Sequence, residues 1–398
     1  MFFGVSMLPH RQMILRPCCL AVALVLVAGL PLGAVAPRKT SKKAAATRVK
    51  KKTSVSGKAT PAALTRRSAR RSRVRRFFSP WTEPTYADST NGDRLEGEDP
   101  LVRRAAVEAL GPYNGTVVAV DPGTGRILSM VNQRVALKSG FQPCSTVKIP
   151  VALAALSEGI IDRVTPIRLY GRTRVDLTQA LAHSNNVYFA SLGVKLGYDR
   201  FSYYARLFGL GEKAGLNIEG EEPGYFAEAP PKGGGMGMMT SFGDGITLTP
   251  LELAALLSAV ANSGTLYYLQ YPRNSEEVDQ FLPRVKRHLD IAQYVPQIKP
   301  GLMGAVEFGT ARRAIYDPEA PVCGKTGTCT GGTTHLGWFG SFSDFGQNKL
   351  VVVVLLTGGR GVSGPTAAEI SGNIYRRLQQ EGYFVRRPVF SPAVLVPR

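Results

Sequence analysis

Hydrophobic residues fall into two different periods along this chain, and the change of period divides it. Gly115 to Asn132 reads as two β-rich runs around Asp121-Pro122-Gly123-Thr124-Gly125, a hairpin signal. Ser145 to Leu156 and Leu177 to Leu196 then carry apolar residues at helical spacing. Thr249-Pro250 opens a further helix, with Thr as N-cap, Pro at the first position, Leu-rich periodicity to Ala261, and Gly264 just past the end. Pro321 to Thr328, Leu336 to Ser343 and Leu350 to Thr357 read as three successive strands. The unbroken run Val351-Val352-Val353-Val354-Leu355-Leu356 predicts a strand buried on both faces. A last helix covers roughly residues 367–380. Strands, then helices, then three strands and a helix predict an α+β sandwich: an antiparallel sheet flanked by helices, with an all-helical lobe inserted between the strand groups.

Upstream of residue 98 the pattern is different. Arg11 and Arg16 precede the apolar stretch Pro17 to Ala36, so residues 1–37 read as a signal peptide or a signal anchor. Ala34-Val35-Ala36 has the form of a cleavage site, and Pro37 behind it opposes cleavage and favours the anchor. Residues 38–97 read as a disordered basic linker, too poor in apolar side chains to order itself. Residues 98–398 read as one domain.

Charge sharpens this division. The net charge is +20, but residues 1–80 contain no Asp or Glu and hold 18 of the 49 Lys and Arg residues. The remainder, with 31 basic and 29 acidic residues, is close to neutral. The linker's charge suits contact with an anionic lipid or polymer, or a plain spacer role. A nucleic-acid tail fits poorly behind an export signal. Export would place Cys144, Cys323 and Cys329 where disulfides can form. Cys18 and Cys19 are small hydrophobes of the apolar segment. Four scattered histidines without tight Cys/His spacing predict no metal site, and no cofactor motif appears.

Three short patterns carry candidate chemistry. Ser145-Thr146-Val147-Lys148 is S-x-x-K, Ser184-Asn185-Asn186 is S-x-N, and Lys325-Thr326-Gly327 is K-T-G. A serine hydroxyl needs a base before it attacks a carbonyl. Lys148, three residues on in a helix, shares the face of Ser145. A lysine serves as base when burial and neighbouring positive charge lower its pKa, and Lys325 on a facing strand is expected to supply that charge. Ser184 is placed to relay a proton to a leaving amine, and Asn186 to hold Lys148 and a substrate amide. A helix start at Ser145 offers backbone N–H groups to an oxyanion. Gly327 is expected to let the strand edge approach a bound acyl group. Singly these patterns mean little: Ser89-Thr90-Asn91 and Ser371-Gly372-Asn373 also fit the second, and Lys138-Ser139-Gly140 fits the third. Order and context select the first set.

That context resembles the penicillin-binding transpeptidase domains. The likeness is carried by Val118 to Met130, Ser184 to Gly224, Gly243 to Gly264, Cys323 to Thr328 and His335 to Gly340, and spans about residues 100–385. It implies a serine D,D-transpeptidase or D,D-carboxypeptidase acting on peptidoglycan stem peptides and covalently inhibited by β-lactams, on the periplasmic side of a cell membrane. It further implies Ser145 as the acylated residue, Lys148 as base, Ser184, Asn186, Lys325 and Thr326 as support, and the N–H groups of Ser145 and Thr328 as the oxyanion site. Two departures stand out. Only linker-like residues precede the domain, where large members carry a further domain, so partnership in elongation or division complexes is in question. Pro143 to Pro150 looks more like class D β-lactamases, and Pro150 predicts a tight or irregular first helical turn. A β-lactamase therefore stays as an alternative, with an acylated non-enzymatic sensor behind it. Glu219, Glu221 and Glu222 are the carboxylates that could activate water, and they read as structural. Some class A β-lactamases pair cysteines at the positions of Cys144 and Cys329, which implies a disulfide here; three unpaired thiols are the alternative.

Overall fold

The computed structural model describes residues 82–385 except Gly332. The expected signal segment and the basic linker as far as residue 81 lie outside the described residues. Residues 82–97 do not behave as linker. Asp93 accepts hydrogen bonds from Asn132 N and Gln133 N, both at 2.9 Å, and pairs with Arg103 at 2.7 Å. Thr85 O accepts from Asn114 N at 2.9 Å, and Ser89 is buried. The packed unit thus starts before the expected boundary at residue 98. The composition explains it: the basic run stops at Arg76, and Glu83, Asp88, Asp93, Glu96 and Glu98 follow.

The elements follow the expected order. Helix α1 (Pro100–Leu110) leads into β1 (Gly115–Asp121) and β2 (Arg126–Val131). Then come α2 (Lys148–Ser157), α3 (Leu177–Ala182), α4 (Asn186–Leu207), α5 (Gly235–Phe242), α6 (Pro250–Ala261) and α7 (Val295–Glu307). The chain closes with β3 (Cys323–Gly331), β4 (Thr334–Ser343), β5 (Leu350–Gly358) and α8 (Gly364–Gln380). The five strands form one antiparallel sheet in the order β2-β1-β5-β4-β3.

Burial divides β5 between two cores, as its continuous apolar run predicts. Val351, Val353 and Leu355 point to the side covered by α6, and Val352, Val354 and Leu356 to the side covered by α1 and α8. Alternation makes this possible, because successive side chains leave a strand on opposite faces. Each such side chain contributes about 1.5–3 kcal/mol relative to exposure. The α6 helix is set by its ends. Thr249 Oγ1 accepts from Glu252 N at 3.0 Å while the Glu252 carboxylate accepts from Thr249 N at 2.7 Å, a reciprocal capping box.

The helical lobe departs from its simple pattern. The expected helix over Leu177–Leu196 is two helices, α3 and α4, separated by a turn at Ser184. Ser184 has φ 55°, left-handed backbone that helices do not contain. Asn185 then caps α4, its side chain accepting from Tyr188 N at 2.9 Å. The expected helix from Ser145 is likewise two pieces. Cys144–Val147 is a single 3-10 turn, and the α-helix starts at Lys148. Pro150 has no N–H to give Thr146 O, so the α pattern cannot extend back through the turn that holds Ser145.

Candidate active site

The 3-10 turn brings the first pair of site residues together. Three residues per turn place positions i and i+3 directly above one another, closer than on an α-helix. Lys148 Nζ accordingly lies 3.0 Å from Ser145 Oγ. The turn itself is held from three sides. Cys144 (φ 52°) is in left-handed backbone just before Ser145, a conformation that costs a non-glycine residue roughly 1–3 kcal/mol. Its Sγ is bonded to that of Cys329 on β3, with Cα atoms 5.6 Å apart. Trp338 Nε1 on β4 donates to Gln142 O at 2.9 Å, and Gln142 Nε2 donates to Asp244 Oδ1 at 2.7 Å.

The S-x-N turn supplies the other wall. Lys148 Nζ donates to Ser184 O at 2.8 Å and to Asn186 Oδ1 at 2.6 Å, and lies 3.0 Å from Ser184 Oγ. The three residues of the motif divide the work: Ser184 makes the turn, Asn185 caps α4, and Asn186 faces the lysine. Ser241 Oγ donates to Asn186 O at 2.9 Å and fixes that corner.

Four polar partners surround one amine, and this count bears on its protonation. Lys148 is fully buried, and burial lowers its pKa from 10.5 to about 7. A neutral amine has two N–H bonds and one lone pair. Ser184 O and Asn186 Oδ1 take the two N–H bonds, which turns the lone pair toward the hydroxyls of Ser145 and Ser184. Either hydroxyl can donate to it, which is the geometry general-base chemistry requires.

Lys325 is also fully buried, on β3, and donates to its neighbour's carbonyl, Thr326 O, at 3.0 Å. Burial and then the Lys148 charge hold it well below the ordinary lysine value. Of the two causes expected for the low Lys148 pKa, burial and the Lys325 charge, burial is the one that lowers it. Thr326 and Thr328 have internal partners. Thr326 Oγ1 lies 2.6 Å from Thr310 Oγ1, and Thr328 Oγ1 accepts from Gly364 N at 2.7 Å. Gly327 stands close to the 3-10 turn. A Cβ there would stand 2.9 Å from Pro143 O and 3.2 Å from Thr146 Cγ2, so glycine makes room for the turn that holds Ser145. β3 ends the sheet, so among the described residues its outer edge has no strand partner.

Ser145, Lys148, Ser184 and Asn186 therefore meet within hydrogen-bond distance, with Lys325 to Thr328 on the adjoining edge strand. The three carboxylates considered as water activators are not part of this cluster. Glu221 is buried and accepts from Ala214 N at 2.8 Å and Gly215 N at 3.0 Å. Glu219 and Glu222 are exposed, and Glu219 lies 3.8 Å from Arg94. Sequence reading missed Thr310, which has no motif around it, and Gly364, which Ser363 as N-cap and Pro365 could have disclosed.

Sequence and fold comparisons place the chain among known proteins. The family model of the penicillin binding protein transpeptidase domain matches residues 115–376. The chain is 28% identical over 310 residues to stage V sporulation protein D of Bacillus subtilis, covering 67% of this chain and 48% of that protein. It is 25% identical over 365 residues to peptidoglycan D,D-transpeptidase PbpA of Mycobacterium tuberculosis, covering 74% and 73%. Against peptidoglycan D,D-transpeptidase MrdA of Acinetobacter baumannii it is 24% identical, covering 61% and 45%. It thus spans about half the length of two of these three relatives. A crystal structure of Pseudomonas aeruginosa PBP2 superposes with a TM-score of 0.61 at 23% identity, covering 74% of this chain and 78% of that one. The fold and the Ser-Lys-Ser cluster define the class, and the chain belongs to the penicillin-binding protein transpeptidase domain family.

Proposed function

We propose that this chain is a serine D,D-transpeptidase of peptidoglycan stem peptides, with Ser145 as nucleophile. D,D-carboxypeptidase activity is hydrolysis of the same acyl-enzyme. Neutral Lys148 takes the Ser145 proton as Oγ attacks the carbonyl of a D-Ala-D-Ala end. The N–H groups of Ser145 and Thr328 support the oxyanion. Ser184 hands a proton to the departing amine of the last D-Ala, leaving the acyl group on Oγ. A β-lactam carbonyl enters by the same route and stays attached. Asn186 and the β3 edge, with Lys325 on that strand, hold the peptide.

One observation carries this reading: the buried Lys148 amine, lowered to about 7, stands 3.0 Å from Ser145 Oγ and 3.0 Å from Ser184 Oγ. The β-lactamase reading lacks comparable support, because Glu221 is engaged by backbone donors. We place the domain on the extracytoplasmic side of the membrane, with residues 1–37 as signal or anchor and the basic linker against anionic lipid or polymer. Among the described residues no helix is long and apolar enough to cross a membrane.

A time course with labelled penicillin tests the proposal. Ser145 becomes labelled, Ser145→Ala abolishes labelling while the protein stays folded, and the label leaves over minutes to hours. Labelling that survives in Ser145→Ala removes the mechanism. Turnover of many penicillins per second favours a β-lactamase.

A further inference from the structure

A groove of about 820 Å³ opens beside the reactive cluster, walled by His183, Phe308, Thr310, Arg312, Arg313 and Pro365. Its floor is tied to both halves of the site. Thr310 N donates to Ala182 O at 3.1 Å, two residues before Ser184. Thr310 Oγ1 lies 2.6 Å from Thr326 Oγ1 on β3. Gly309 allows this approach, because a Cβ there would stand 2.1 Å from Ala182 O. The Phe308 and His183 rings, 5.6 Å apart, form an aromatic wall. Arg313 is partly compensated by Glu369 at 3.5 Å, whereas Arg312 is exposed and has no acidic partner among the described residues.

We infer that this groove seats the acceptor peptide of transpeptidation, and that Arg312 pairs with a carboxylate of that peptide. The inference rests on the proposed function, which gives Ser184 the proton of the leaving amine. By reversibility the incoming amine arrives where the old one departed, beside Ser184, and the groove starts at the residue before it. A carboxypeptidase needs room there for one departing alanine and a water. A volume in the range that holds ligands of several residues suits an incoming peptide instead. In the step itself, the acceptor's primary amine attacks the ester carbonyl carbon. The new C–N bond forms, the bond from that carbon to Ser145 Oγ breaks, and the proton lost by the amine ends on Oγ.

The test uses the full chain, a peptide donor ending in D-Ala-D-Ala, and one acceptor peptide made with either a free carboxylate or an amide in its place. The partition of acyl-enzyme between water and amine is followed against acceptor concentration, and penicillin labelling is measured alongside. The wild type is expected to saturate at lower concentration with the carboxylate acceptor. Arg312→Gln should raise that concentration about tenfold for the carboxylate form alone, the loss of one charge-assisted pair, and Arg312→Lys should restore part of it. Slower acylation of Arg312→Gln with unchanged partition overturns the inference, because the arginine then serves the donor's own carboxylate. Unchanged acylation and unchanged partition overturn it as well. Hydrolysis as the sole outcome in the wild type overturns it while leaving acylation of Ser145 standing. Failure of the wild type to be acylated at all is instead the failure of the proposed function.

Discussion

The sheet and the two breaks in the helical lobe are built on opposite principles. In β5 every residue obeys the strand period, and two cores are buried with no exception along Val351–Leu356. In the turns at 143–148 and 182–186 the backbone breaks its period, and the chemistry sits at the breaks. Cys144 and Ser184 both hold left-handed backbone without being glycine, and each adjoins or is a member of the reactive cluster. The difference teaches that the scaffold is fixed by many cooperating side chains, whereas the site depends on a few residues held against their local preference. Such residues persist because their surroundings over-determine them. At Cys144 a disulfide, the Trp338–Gln142 bond and the close approach of Gly327 to Pro143 do so.

The largest expected effect separates function from packing. Lys148→Met keeps a long apolar stem in a buried site but removes the amine. Penicillin acylation is expected to fall by about 10²–10⁴-fold, the size of a lost general base, with the fold retained. In the wild type the acylation rate should rise with pH through about 7, as Lys148 becomes neutral. Stability has a linked sign. Lys148 is lowered from 10.5 in the unfolded chain to about 7 in the folded one, so the unfolded chain binds more protons between these values and stability rises with pH there. Below about 7 the whole cost is present, and Lys148→Met should therefore raise the melting temperature more at pH 6 than at pH 9. A flat acylation profile across pH 6–8 breaks the assignment of Lys148 as base.

The next effect concerns the tie between the two regions. The Cys144–Cys329 bond joins positions 185 residues apart. Its loss through Cys329→Ala is expected to cost roughly 2–5 kcal/mol, read as a fall in denaturation midpoint, and to slow acylation. If the midpoint stays where it was, the Gly327 and Trp338 contacts alone hold the nucleophile turn. Cys323 is buried and unpaired, with burial pushing its thiol up to about 12.

The same contrast sets what was legible in the sequence. The sheet was readable because period and burial are the same information, and α6 because Thr249, Pro250 and Gly264 mark its ends. The Ser145, Ser184 and Lys325 motifs were readable from their order. The split of Ser145–Leu156 into a 3-10 turn and a helix was signalled by Pro150 alone. The left-handed turns at Cys144 and Ser184 left no mark, since neither is Gly or Asn. Arg312 and Thr310 gain meaning only from the packing of their loop on Ala182 and Thr326, which no local pattern encodes. The packing of residues 82–97 was legible in charge, in the acidic residues that follow the basic run, but this stretch lacks the apolar periodicity of a helix or strand and reads as linker.

The smallest expected effect probes how the regular part supports the lobe. Glu252 is buried in the first turn of α6, and desolvation raises its pKa from 4.5 to about 7. Its Oε1 accepts from Gly211 N at 2.9 Å and Gly224 N at 3.1 Å, and its Oε2 accepts from Thr249 N at 2.7 Å. One side chain thereby fixes both ends of the segment from Gly211 to Gly224 to a helix that packs on the sheet. Glu252→Gln preserves the shape but turns one acceptor into an N–H donor, which then faces a backbone donor. One of the three bonds is lost and a buried N–H is left unpaired, so a loss of about 1–3 kcal/mol is expected. The folded carboxyl holds its proton to higher pH than the unfolded one, so this group's contribution is greatest below about 4.5 and declines as pH rises toward about 7. The pH dependence of the wild-type midpoint should therefore flatten between pH 4.5 and 7 in Glu252→Gln, while penicillin labelling of Ser145 changes little. Labelling that collapses in this variant joins Glu252 to the site and erases the separation between scaffold and reactive turns.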